Sequence, residues 1–111
     1  MKLKRLKDLP QEFVSHNKEI RKKVFIKKGE IPHMTNFSIA TFSPSQIAYA
    51  HTHPDMYEVF FVEAGIGVIE IDKKVFELKK GSCVIVEPGE SHEIRNESSE
   101  DLIVHCLGVE I

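Results

Sequence analysis

Residues 57–86 read YEVFFVEAGIGVIEIDKKVFELKKGSCVIV, and the rhythm of this stretch decides the fold. Apolar, β-branched and aromatic residues come in runs of strand length, Tyr57–Glu63, Gly67–Ile71, Val75–Leu78 and Cys83–Val86. Turn formers separate them: Gly65, then Asp72-Lys73, then Lys80-Gly81.

The same pattern extends in both directions. Upstream lie Arg21–Lys27, Phe37–Phe42 and Ile47–His53, and downstream lie His92–Arg95 and Leu102–Leu107. Breaks fall at Gly29 and Pro32, Ser43-Pro44-Ser45, Pro54-Asp55, Pro88-Gly89 and Asn96 to Asp101. Only Leu6–His16 has a helical hint, and Pro10 limits it to a short turn. Short strands with turns every ~8–12 residues predict an all-β sandwich or barrel with a short N-terminal arm.

The chain has 111 residues and 12.7 kDa, which is one domain, 1–111. Its 41% apolar and 29% charged content is that of a globular protein. With 15 Lys+Arg against 17 Asp+Glu the net charge is −2, so there is no electrostatic case for nucleic acid. Charge is unevenly placed: residues 1–30 hold 10 basic and 4 acidic residues, and residues 31–111 hold 5 and 13. Two oppositely charged surfaces of one domain account for this, with a patch for an anionic partner as the alternative. The lysine-leucine alternation of the first ten residues is not a secretory signal, and the apolar stretch Val59–Ile71 carries Glu63 and Glu70, so no membrane association is expected. Two cysteines, Cys83 and Cys106, fit a reducing cytoplasm.

Chemistry concentrates in the histidines. His51 and His53 are two apart on a predicted strand, which places both rings on one face. Glu58 follows beyond the Pro54-Asp55 turn, and His92 heads a later strand. If those strands curl around one interior, three imidazoles and a carboxylate converge, a set that suits Mn, Fe, Co, Ni, Cu or Zn. Taken alone, an H-x-H pair reads as two histidines on a solvated strand.

At these residues the sequence resembles the cupin superfamily, whose motifs are G(x)5HxH(x)3–4E(x)6G and G(x)5PxG(x)2H(x)3N. The chain reads Ser45, five residues, His51-Thr52-His53, four residues, Glu58, six residues, Gly65. It then reads Gly81, five residues, Glu87-Pro88-Gly89, two residues, His92, three residues, Asn96. Ser45 replaces a glycine and Glu87 a proline, both at turns. The resemblance implies a jelly-roll barrel of two antiparallel sheets, six to eight strands in all. It also implies one divalent transition metal held inside by His51, His53, Glu58 and His92, and assembly as a homodimer.

The remaining candidates follow from strand alternation. Phe60 and Val62 share the parity of Glu58 and should wall the cavity, while Tyr57, Val59 and Phe61 face outward, toward a second copy. The strand Val24-Phe25-Ile26 is expected to pair across two barrels. In Leu102–Leu107 either Cys106 or His105 faces the metal; a cavity Cys106 would be prone to oxidation, and a cavity His105 would be an acid/base group. Tyr49 and Tyr57 are the other candidate bases, whereas His16 and His33 read as surface residues.

The resemblance implies a metal-dependent enzyme acting on a small organic molecule, with O2-dependent oxidation or dioxygenase-type cleavage favoured. A sugar isomerase or epimerase, or a non-catalytic metal-mediated binding module, are the alternatives.

Overall fold

A computed structural model describes residues 1–111. A 3-10 turn at Leu6–Asp8 precedes ten strands: β1 (Glu12–Val14), β2 (Asn17–Lys27), β3 (Met34–Phe42), β4 (Ile47–His51), β5 (Met56–Ala64), β6 (Ile66–Ile71), β7 (Lys74–Lys79), β8 (Cys83–Val86), β9 (His92–Arg95) and β10 (Leu102–Glu110). They form two antiparallel sheets, β1-β2-β3-β10-β5-β8 and β4-β9-β6-β7.

Period-two patterning puts alternate residues of each strand between the sheets. Phe42 of β3, Phe60 and Val62 of β5, Ile69 of β6, Leu78 of β7 and Leu102 and Val104 of β10 form the core with Ile20 of β2. Each such side chain contributes roughly 1.5–3 kcal/mol by leaving water. Asp72 and Lys73 both take positive φ and close the two-residue β6–β7 hairpin, where Ile71 pairs with Lys74. Gly65 turns β5 into β6 with φ +89, and a Cβ there would collide with the carbonyl oxygen of Asp101.

Both ends of the motif pair meet in space. The Ser45 amide donates to the Asn96 carbonyl at 2.9 Å, and the Asn96 amide donates to the Gln46 carbonyl at 3.0 Å. The fully buried Asn96 side chain donates to the carbonyls of Phe42 and Glu100 and accepts from Ser98, so all its capacity is used. Ser45 has φ +72, the left-handed conformation for which the family motif carries glycine.

Several expectations are corrected. Strands number ten, above the six to eight implied by the resemblance; nine match the runs of strand length in the sequence, and the tenth is β1, at residues 12–14 within the stretch that carried the helical hint. A one-turn hydrogen-bonded helix at Leu6–Asp8 buries nothing, whereas β1 gains a ladder with β2. β4 ends at His51, so His53 lies outside it. Val62 is sealed in the core and does not reach the cavity.

Candidate metal centre

One end of the sandwich interior opens into a cavity of about 370 Å³ walled by Val24, Ala40, Phe42, Phe60 and Ile94. Four side chains converge in it. The Nε2 atoms of His92, His53 and His51 lie 2.8, 3.1 and 3.9 Å from a single oxygen, Oε1 of Glu58. One donor atom from each of the four residues falls within 4.8 Å of the others.

Each residue arrives by a different route. His51 and His92 are cross-strand partners in β4 and β9, which explains why a histidine 41 positions away meets the first motif. A β-bulge does the aiming. Ala48 pairs with Ile94 and His51 with His92, so Tyr49 and Ala50 together oppose Glu93. That extra residue shifts the alternation, and both Ala48 and His51 face the cavity. The Glu93 carboxylate pins the bulge by accepting from the Ala50 amide at 3.1 Å, and it also binds Arg95 at 2.8 Å. His53, beyond the strand, is held through its carbonyl, which accepts from the Gly89 amide at 2.9 Å. Glu58 projects from β5 in the facing sheet with the parity of Phe60.

Ring orientation is set by the backbone. A carbonyl can only accept, so His51 donates Nδ1–H to the Tyr49 carbonyl at 2.8 Å and His92 donates Nδ1–H to the Glu90 carbonyl at 3.2 Å. Both rings therefore turn Nε2 toward Glu58, the usual support of a metal-binding imidazole. Burial pushes the His51 pKa down to about 4, leaving that ring neutral. Burial also works against charge on His92 and Glu58, but their mutual hydrogen bond wins: His92 is raised and Glu58 lowered. The Glu58 carboxylate thus favours a proton on His92 Nε2, and a cation would compete for the same place. The donor set fits a divalent transition ion, with nitrogen and carboxylate ligands preoriented on one point.

Other candidates fall on both sides of the wall. Cys106 lines the cavity, and burial pushes its thiol up to about 12. His105 faces the opposite way, 2.8 Å from Glu63 and edge-on to Phe61. The Tyr49 and Tyr57 side chains are exposed; Tyr49 contributes only its carbonyl. His33 is exposed as expected. His16, expected on the surface, instead lies over the site, because the β1–β2 hairpin folds its turn across the cavity. No periodicity could have revealed this, since His16 sits in a turn between Ser15 and Asn17.

The family model for the cupin domain matches residues 38–108. The chain belongs to the cupin family. Among curated proteins, an uncharacterised protein of Methanocaldococcus jannaschii is 30% identical over 56 residues, so the match spans 50% of this cupin and 45% of that relative. Solved structures share the fold. A predicted oxalate decarboxylase of Thermotoga maritima superposes with a TM-score of 0.91 at 20% identity, covering 99% of this chain and 100% of that one. A cupin-superfamily sugar phosphate isomerase of Silicibacter pomeroyi gives 0.81 at 12% identity over 96% and 74%. The Cnp3 cupin domain of Schizosaccharomyces pombe gives 0.80 at 13% identity over 96% and 72%.

Proposed function

We propose that this cupin is a metal-dependent enzyme that takes a small organic molecule onto an ion held by His51, His53, Glu58 and His92, with O2-dependent oxidation as its chemistry. The observation that supports it is the convergence of three Nε2 atoms on Glu58 Oε1 at the end of an apolar cavity. A bound ion would supply Lewis-acid or redox chemistry there, with positions beyond the four protein donors left for ligands.

The chain's own residues do the rest. The Tyr49 and Glu90 carbonyls fix two of the imidazoles, and Phe60 and Phe42 make the wall of the cavity apolar. An isomerase would need a base at the cavity. His105, Tyr49 and Tyr57 face away, which leaves His16, over the site, as the base such a reading would use. A second reading is a non-catalytic module that holds its ligand through the metal. The names of the structural relatives span decarboxylase and isomerase, so the fold does not choose the reaction. Residence in the cytoplasm belongs to the same proposal: both cysteines are free, and no helix is long and apolar enough to cross a membrane.

Elemental analysis of protein offered Mn, Fe, Co, Ni, Cu and Zn, beside the His92→Ala variant, tests the centre. One ion per chain in the wild type and none in the variant is expected, with both folded. Oxygen uptake across catechols, diketones and sugars then tests the chemistry. A protein that stays empty with every ion rejects the enzyme reading, and a loaded protein that turns nothing over leaves the binding module.

A further inference from the structure

Lys22 is a charge on the inward-facing parity of β2. It stands between Ile20 and Val24 on β2, both buried, and shares their inward parity. Its cross-strand partner on β3 is the buried Ala40. Arg21 and Lys23, of opposite parity, turn outward, toward Asp101 and the Leu6 carbonyl respectively. Lys22 is half-buried and lines the same cavity as the four metal-centre residues. Its charge bears on both the His16 ring and the Cys106 thiol, which also line that cavity.

Three lysines border the cavity, and two are already engaged. Lys27 pairs with Glu12 at 3.6 Å and Lys28 with Glu110 at 2.8 Å. Lys22 has neither a carboxylate within ion-pair reach nor a hydrogen-bond acceptor, although Glu12 is its register partner on β1. The half-buried Lys22 side chain borders an apolar wall that includes Val24 and Ala40, and no protein group pairs with its charge there. An anionic ligand would offset it, and the apolar walls would strengthen the contact.

We propose that Lys22 is the anion anchor of the cavity: the ligand is a small organic acid with oxygen donors for the metal centre and a separate carboxylate or phosphate for the Lys22 ammonium. The inference rests on the metal-centre reading only for the other end of the ligand.

Calorimetric titration with lactate, malate and 3-phosphoglycerate tests it, because the three share a 2-hydroxy-acid head and differ in the tail. The metal-loaded wild type should bind malate or 3-phosphoglycerate about tenfold or more tighter than lactate, and the preferred tail distinguishes carboxylate from phosphate. Lys22→Met should reduce the preferred acid to the level of lactate, Lys22→Arg should retain most of the preference, and Lys22→Met should melt no lower than wild type. Equal binding of the three acids, no binding at all to the loaded protein, or a preference that survives in Lys22→Met overturns the proposal. So does a melting temperature lowered alike by Lys22→Met and Glu12→Gln, which would assign Lys22 to a structural ion pair. The same titrations on metal-free protein separate the two readings. A tail preference there that Lys22→Met abolishes supports Lys22 even if no metal is taken up. Metal uptake without any tail preference overturns Lys22 and leaves the metal centre standing.

Discussion

The imidazole of His16 lies flat on that of His51, with ring centroids 3.5 Å apart and planes 14° from parallel. The stack adds to the hydrogen bond to the Tyr49 carbonyl and the edge-on contact with His92 in fixing the plane of the His51 ring. Supports of this kind cost about 10–100-fold in metal affinity when removed. His16→Ala should therefore bind metal more weakly by about that factor, measured by competition with a chelating dye, while the melting temperature of the metal-free protein changes little. His16→Phe, which keeps a flat ring, should restore most of the affinity. Unchanged affinity in His16→Ala would show that the stack does not hold the ligand.

Proton competition should follow His92 first. Its pKa is raised above 6.5, so a proton occupies Nε2 already at mildly acidic pH, and a cation must displace it. Affinity should begin to fall above pH 6.5 and decline about tenfold per unit below the His92 pKa. His51 joins only near pH 4, where its ring begins to charge. In the metal-free protein, that same depressed value means His51 contributes stability above pH 6.5 that is lost as pH falls toward 4. Metal titrations between pH 5 and 8 check the order; affinity flat down to pH 6 would refute it.

Reactivity at the two thiols should be the reverse of the sequence expectation. Cys106 does face the cavity, but at about 12 its thiol is almost never a thiolate at neutral pH, whereas Cys83 is exposed on β8. A maleimide at pH 7.5 should label one site quickly, and Cys83→Ser should abolish that fast phase. Peptide mapping that finds Cys106 labelled first would contradict this.

The outer face of the six-stranded sheet carries an apolar row across four strands, Phe37, Leu107, Val59 and Ile85, which are successive register partners. Phe61 lies beside it and is 43% exposed. Such a face calls for cover, and a second copy of the chain is the simplest closed solution. Sedimentation at micromolar concentration should give about twice 12.7 kDa, and Ile85→Lys should yield the monomer. A wild type that sediments as a monomer would remove the proposal.

The strands were legible because a period of two is local: each of β5 to β10 can be read from its own side chains and the turn formers at its ends. Glu58, Phe60 and Phe61 were assigned to the correct faces on that basis alone. What stayed hidden depended on pairing between distant strands. The bulge opposite Glu93 turns the Tyr49 side chain outward in a way that simple alternation in Ile47–His53 does not foresee. His16 reaches the site through a hairpin fold-over that leaves no periodic trace. The choice between His105 and Cys106 needed the register of β10 against β5, where Cys106 stands opposite the inward Phe60.

The bulge in β4 has one more consequence. It divides five residues into two territories, with Ile47 and Ala48 answering to the packing of β9 and His51 to the cluster around Glu58. A sequence change upstream of the extra residue is judged by how the barrel fits together, and a change downstream by what the centre can hold. Were β4 to pair regularly from Ala48 onward, residue 51 would turn to the outer face, so a working centre and a sound fold are separable here by the register of a single residue.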